Sequence, residues 1–281
     1  MEKFTKQELN KYIELASRLH TLARVVDPVT CRCQMEELLC FRTWQKKSRC
    51  ENCVSAHAVR TGNITTKFEF MPKEEIYYVV STPVELEDGT VVAVETVNQI
   101  NDDTLIGAYG HTEFANHIIQ YNEALNHDSG TGLFNRKYLQ EQLDTVKLAK
   151  KSKVSVIMCD IDDFKLINDQ YGHIIGDEVL IEIGRALEYA LGDGVNGFVS
   201  RFGGDEFVLV IFEQDKDFTA ALVEGIRYNV KKVAEKYKGR FQVSLSVGMA
   251  SLEDGITIEE LLDRADHFMY LDKEQHKHRG V

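Results

Sequence analysis

The sequence is poor in proline, with 3 in 281 residues, and holds a single tryptophan. It has no biased or low-complexity tract, so no long disordered linker is expected. It has no run of about 18 apolar residues, which excludes a membrane-spanning helix. Its first stretch, MEKFTKQELNKYIELASRLH, mixes charges into its apolar positions and lacks a signal-peptide core. Positive charge is also in deficit. Lys and Arg number 33 against 45 Asp and Glu, for a net charge of -12. Such a surface repels phosphate backbones and anionic membranes, so nucleic-acid binding is not expected. A nucleotide substrate remains open, because carboxylates that hold Mg²⁺ invert the local field. We expect a cytoplasmic chain. In that compartment six cysteines read as thiols or metal ligands before disulfides.

What is present is globular. Hydrophobic residues make up 43%, enough for real cores, and the length leaves room for two ordinary domains. Leu9, Tyr12, Ile13, Ala16, Leu19 and Ala23 recur at helical spacing and predict an opening amphipathic helix. A cysteine-rich stretch runs from Cys31 to Cys53. Strand-like runs follow at Lys67–Phe70, Ile76–Ser81 and Thr90–Val97, with Glu87-Asp88-Gly89 as a hairpin turn. Thr104–Asn126 reads as a helix. Phe114, Ile118, Tyr121 and Leu125 follow a 3.5-residue repeat, so this helix is a short dimer seam or packs on its own domain.

The pattern changes after Asn126. Helix Arg136–Lys151 leads to strand Val154–Cys159 and then to helices Phe164–Gln170 and Gly176–Leu191. A hairpin, Gly197–Arg201 with Glu206–Phe212, turns at Gly203-Gly204. Helix Phe218–Tyr237, strand Gln242–Met249 and a last helix from Ile258 close the chain. The order α-β-α-α-β-β-α-β-α predicts an α+β fold and not a doubly wound parallel sheet.

Two segments carry chemistry. The hairpin SRFGGDEF, Ser200–Phe207, sets two carboxylates directly after two glycines. Adjacent strand residues face opposite sides, so Asp205 and Glu206 are not expected to enter one site in the same way. The run CDIDDFK, Cys159–Lys165, ends an apolar strand in three carboxylates and a lysine. Each alone suits a solvated turn or strand end. Together they suit Mg²⁺-assisted phosphoryl chemistry, in which hard oxygen ligands hold metal against a triphosphate and a cation neutralises the leaving group.

These segments resemble GGDEF-domain diguanylate cyclases. RFGGDEF, Arg201–Phe207, is similar to the family signature. DIDDFKLINDQYGH, Asp160–His173, resembles its other long motif. DSGTGLFNR from Asp128, Gly176-Asp177, Ser246-Val247-Gly248 and Ala265–Tyr270 match in order, over about residues 127–278. The resemblance implies a palm-like nucleotidyl cyclase fold and condensation of two GTP into cyclic di-GMP with release of two pyrophosphates. It implies a homodimer, since each domain holds one GTP. It assigns Mg²⁺ (or Mn²⁺) to Asp160, the Ile161 carbonyl, Asp205 and Glu206. Asp205 also helps deprotonate the ribose 3′-hydroxyl, and Lys165 stabilises phosphate charge. Asn168 and Asp177 bind the guanine edge, Gly203 leaves space for the ribose, and Lys273 and Lys277 reach the triphosphate. Many relatives carry an inhibitory product-binding Arg-x-x-Asp that begins nine residues before the first signature glycine. Here Gly194 and Gly197 stand at those positions.

Residues 20–103 resemble a PAS sensor domain. The carriers are Val25–Pro28, the segment from Cys40 to Cys53, Ala58–Gly62, and the closing strands Tyr77–Ser81 and Val91–Asn98. That resemblance implies a five-stranded sheet able to hold an unidentified small ligand. The expected organisation is a PAS-like sensor with its N-terminal helix over 1–103, a helical linker over 104–126 and the GGDEF domain over 127–281. Cys31, Cys33, Cys40, Cys50, Cys53 and His57 offer zinc or an iron–sulfur cluster ligands at suitable spacing. The alternative is a set of reduced, partly buried thiols. Cys159 reads as inert packing. Two other functions stay open beside the enzyme: a GTP-binding regulatory module without turnover, and a metal or redox sensor with a vestigial cyclase half.

Overall fold

A computed structural model describes residues 3–33, 36–46, 49–50, 52–71, 75–100, 120, 124–147 and 153–279. The chain divides into two compact units, Met1–Leu125 with Glu141–Lys151, and Asn126–Gln140 with Ser152–Val281.

In the first unit, β1 (Lys3–Phe4) precedes helix α1 (Lys6–Ala16). Thr5 and Glu8 cap the helix reciprocally: each side chain accepts from the other's backbone N–H, at 3.0 and 2.9 Å. Leu9, Ile13 and Ala16 form its buried stripe. The helix stops at Ala16 and not at the expected Ala23. Leu19 is 72% exposed, and the next residues form strand β2 (Leu22–Asp27), whose Val25-Val26 pair is buried on a sheet. β-branched residues favour that setting over a helix. Strands β3 (Arg32–Cys33) and β4 (Glu36–Leu39) and a 3₁₀ turn (Cys40–Trp44) follow.

The sequence reading missed helix α2 (Val54–Thr61). Cys53 caps its start, and Gly62, at φ +71°, ends it. Strands β5 (Thr65–Met71) and β6 (Glu75–Leu86) contain the first two expected strands and extend beyond them; β7 (Val91–Ile100) starts one residue after the expected Thr90 and runs three residues past Val97. The sheet has seven strands in the order β1-β6-β7-β2-β3-β4, with β5 also on β6. Strands β5, β6, β7, β2, β3 and β4 pair antiparallel in turn, and β1 lies parallel to β6. The expected linker helix and its seam fall almost wholly outside the described residues; residue 120 and residues 124–126 are helical.

The second unit contains β8 (Phe134–Asn135), α3 (Arg136–Lys147), β9 (Val154–Ile161), α4 (Phe164–Tyr171), α5 (His173–Leu191), β10 (Gly197–Gly203), β11 (Glu206–Phe212), α6 (Lys216–Lys236), β12 (Leu245–Ser251) and α7 (Ile258–Arg279). Glu141–Lys147 of α3 falls within the first unit. The five-stranded sheet has the order β12-β9-β11-β10-β8. All eight residues of central β9 are buried, as its apolar run requires of a strand covered on both faces. Ile157, Cys159 and Ile161 pack with Leu180, Ile183, Leu187 and Ile226 in the core. Burial pushes the Cys159 thiol pKa well up, consistent with packing. The fold is α+β and palm-like, with its acidic residues at one end of β9.

Candidate active site

β9 ends in Asp160 and Ile161, and antiparallel pairing sets Glu206 of β11 on one side of Asp160 and Ser246 of β12 on the other. Asp205 lies in the turn before β11, not in the strand. Strand alternation therefore does not separate it from Glu206, which corrects the expectation from adjacency. Gly203 pairs with Glu206, leaving Gly204 and Asp205 as a two-residue turn. Gly204 has φ +47°, a conformation that favours glycine. The Ile161 N–H donates to the Asp205 carbonyl at 3.2 Å, joining the turn to the end of β9. Arg201 braces the turn from behind. Its Nε and Nη2 donate to the Gly204 carbonyl at 3.0 and 2.8 Å, and its Nη1 donates to Asp128 Oδ1 at 2.9 Å.

Helix α7 supplies the countercharge. Lys273 Nζ donates to Asp160 Oδ1 at 2.5 Å. Asp160 is 8% exposed, and burial is the largest effect raising its pKa. The Lys273 bond and charge oppose that rise, while Asp205 and Asp162 add to it. Glu206 is raised by burial and then by Asp160, Asp205 and Asp266. For Lys273, burial acts to lower the pKa, but the bond to Asp160 and the surrounding carboxylates prevail and raise it. One ammonium does not offset this concentration of negative charge. A divalent cation fits such a hard-oxygen, electrostatically frustrated set. Among the described residues, no three Asp, Glu, His or Cys side chains are placed to hold a metal ion, so a cation here would also need the Ile161 carbonyl and substrate oxygens.

The remaining expected residues divide into two groups. Asn168 lies against the start of α5, where a Cβ on Gly176 would collide with its side-chain oxygen. Asp177 follows Gly176 on that helix and is exposed. Lys165 is exposed on the first turn of α4. Lys277 is exposed and bonds Glu274 at 2.8 Å. Gly203 is exposed at the turn. The sequence reading overlooked Asp162 as a site residue. Its side chain, 8% exposed, accepts from Ser246 Oγ at 2.5 Å, Ser244 Oγ at 2.6 Å and His276 Nδ1 at 2.8 Å. Its place two residues after Asp160, on the same side of an extended chain, was the available signal.

The comparisons agree with this architecture. The family model described as diguanylate cyclase, GGDEF domain, matches residues 125–279, more than half of the chain. The chain belongs to the GGDEF-domain diguanylate cyclase family. It is 36% identical over 203 residues to diguanylate cyclase DgcM of Escherichia coli, covering 69% of this chain and 48% of that protein. It is 33% identical over 147 residues to diguanylate cyclase VdcA of Vibrio cholerae, covering 51% of this chain and 42% of VdcA. The chain thus spans less than half the length of either relative. Among solved structures, it is similar to diguanylate cyclase SiaD of Pseudomonas aeruginosa in complex with its activator SiaC. There the TM-score is 0.51 and identity 30%, over 61% of this chain and 67% of that one. The coiled coil and GGDEF domain of DgcB from Caulobacter crescentus, in complex with c-di-GMP, shares the fold. Its TM-score is 0.53 and identity 24%, over 58% of this chain and 88% of that one. In this GGDEF domain the signature is Gly203-Gly204-Asp205-Glu206-Phe207, and all five positions match.

The N-terminal cysteines have a different setting. Cys31, Cys33, Cys40 and Cys50 are buried in one core with Phe41 and Trp44, and Cys53 packs against it. All six cysteines are thiols. His57 is exposed and contacts Arg60 at 2.9 Å. Among the described residues, no three of these groups are placed to hold a metal ion. Arg24 and Glu95 form a buried pair in the same unit at 2.8 Å, with Ser55 also donating to Glu95. Among the described residues, no helix is long and apolar enough to cross a membrane.

Proposed function

We propose that the chain is a diguanylate cyclase that condenses two GTP molecules into cyclic di-GMP and releases two pyrophosphates. The observation that carries this reading is the convergence on Asp160 of Glu206, the Asp205 turn and Lys273. Gly203, Gly204, Asp205, Glu206, Asp160 and Lys165 are all present, with no metal carboxylate or signature glycine lost, so the enzyme reading leads over a silent GTP-binding module. A Mg²⁺ or Mn²⁺ ion held by Asp160, the Ile161 carbonyl, Asp205 and Glu206 would neutralise triphosphate charge. Asp205 accepts the proton of the attacking 3′-hydroxyl. Lys165, Lys273 and Lys277 take up charge on the phosphates as pyrophosphate leaves. Asn168 and Asp177 hold the guanine edge, and the open turn at Gly203 admits the ribose. Each domain binds one GTP, so two copies must meet face to face, and the working form is a homodimer.

The first unit is read as a PAS-like sensor that regulates this output. Its largely antiparallel sheet supports that reading, although it has seven strands where the PAS resemblance implies five, as does the DgcM similarity: 203 aligned residues reach beyond the segment matched by the GGDEF model. Its signal would be an unidentified small ligand or the state of its thiols. Zinc or an iron–sulfur cluster is the metal form of the second alternative. A cytoplasmic site suits the substrate and the reduced cysteines. Incubation of the full chain with GTP and Mg²⁺, with products identified by mass, tests the proposal. Cyclic di-GMP and pyrophosphate are expected. Bound but unconverted GTP would instead establish the silent module.

A further inference from the structure

Helix α7 is fastened to the acidic end of the sheet by two successive rungs. Asp160 and Asp162 stand two residues apart at the end of β9; Lys273 and His276 stand three apart on one face of the helix. Lys273 Nζ meets Asp160 Oδ1 at 2.5 Å, and His276 Nδ1 meets Asp162 Oδ2 at 2.8 Å. A carboxylate accepts, so Nδ1–H is the donor. The other ring nitrogen, Nε2, faces Asp272 Oδ1 at 4.0 Å. Asp272 in turn accepts from the Val247 N–H and from Arg227 Nη2, both at 2.9 Å.

These contacts hold the helix unevenly. Up to Asp272, α7 lies close on β12: a Cβ at Gly248 would meet the helix backbone at Ala265 and Met269. Past Lys273 the support changes. Lys277 pairs with Glu274 inside the helix, whereas His276 reaches back to β9. Helix ends open more readily than their middles. Lys273 thus lies between a tightly packed segment and a turn whose tether to the sheet is His276.

We propose that His276 is a positioning residue, whose Nδ1 bond to Asp162 fixes the last turns of α7 so that Lys273 is presented to Asp160 and to the triphosphate. This rests on the cyclase reading. When substrate arrives, Lys273 must turn its ammonium from Asp160 toward phosphate. The His276 rung is independent of that movement and keeps the helix in place through it. Loss of the rung therefore weakens substrate capture more than it slows the chemical step. Asp162 keeps Ser244 and Ser246 as donors when His276 is removed, so the fold persists.

The test compares His276→Ala with His276→Asn in the full chain. The Asn side-chain amide lies near the place of Nδ1–H and restores the donor. Loss of one hydrogen bond to a buried carboxylate should raise the GTP KM of the Ala variant about tenfold, with kcat within about threefold of the parent. The Asn variant should stay within about threefold of the parent in both. Hydrogen exchange on the metal-free proteins gives a reading that needs no turnover. Amides of residues 270–277 should exchange about tenfold faster in the Ala variant and return toward the parent rate in the Asn variant. Parent-like KM or parent-like exchange in the Ala variant overturns the proposal. So does an Asn variant that matches Ala in both. A parent chain that makes no cyclic di-GMP sinks the cyclase reading, and the exchange result then decides the positioning role alone.

Discussion

Arg201 grips the backbone carbonyl of Gly204 with two guanidinium nitrogens, at 3.0 and 2.8 Å. Its third contact, to Asp128 at 2.9 Å, joins the signature turn to the segment that opens the domain. The turn also carries a bulge, since the pairing register shifts between Arg201 and Gly203. Lysine has one nitrogen and cannot make this fork. Arg201→Lys should keep the fold and lose about tenfold in turnover, because a loosened turn misplaces Asp205. Parallel measurements of turnover and circular dichroism check this. Parent-level turnover would show that the turn is rigid without the brace.

The carboxylate cluster gives a prediction with a defined sign. Replacing Asp205 or Asp160 by Asn should cut turnover by about a hundredfold or more while the fold persists. For Glu206 the pKa is raised by burial and by Asp160, Asp205 and Asp266. A carboxylate whose folded pKa lies above its unfolded value disfavours the fold while ionised. That penalty is full above the folded pKa and fades as pH falls through it toward the unfolded value. Metal-free Glu206→Gln should therefore melt above the parent at neutral pH, by roughly 2 °C, and the gap should close on acidification. A divalent cation should stabilise the parent more than the variant. A melting temperature below the parent at neutral pH, without metal, would show that Glu206 is not held against like charge.

Much of this was legible in sequence, for physical reasons. The apolar run Val154–Cys159 and the apolar strands on either side of Gly203-Gly204 mark β9, which extends to Ile161, and the signature hairpin, because continuous apolar residues must be covered on both faces. Helix α1 was overextended because Leu19 and Ala23 continue its spacing, and periodicity does not register that Leu19 points to solvent. Helix α2 is only eight residues long and sits behind cysteines that invite a metal reading. His276 had no signature. A polar residue on the last turns of a charged helix reads as solvated, and only the fold brings it to Asp162, 114 positions away.

Base selection should depend on the start of α5. Asp177 follows Gly176, and Gly176 leaves the space that the Asn168 side chain occupies. If Asp177 pairs with guanine N–H groups, a mismatched base leaves a carboxylate without its partners. The parent chain should use GTP strongly over ATP in a competition assay. Asp177→Ala should lose most of that preference, with discrimination falling about tenfold or more. Comparable incorporation of ATP by the parent would move base recognition elsewhere.

Feedback by product is expected to be weak at the position where many relatives bind it. Gly194 and Gly197 supply neither a guanidinium fork nor a carboxylate. Their backbone has another use. Gly194 has φ +100°, in the turn between α5 and β10, and Gly197 opens β10. A Cβ on Gly197 would lie 2.7 Å from the Val210 carbonyl of the neighbouring strand, so an aspartate there would displace the ladder. Progress curves with added cyclic di-GMP should show inhibition that saturating GTP relieves, as simple competition at the active site requires. Calorimetry on Asp205→Asn, whose turnover should be largely lost, should show no separate tight product site. Inhibition that persists at saturating GTP would place a second product site on this domain despite the glycines. On the proposed reading, control then falls to the N-terminal unit and to the meeting of two GTP-loaded domains. Cyclic di-GMP output should then follow protein concentration more steeply than first order, because two half-sites must be brought together before either 3′-hydroxyl has a phosphate to attack.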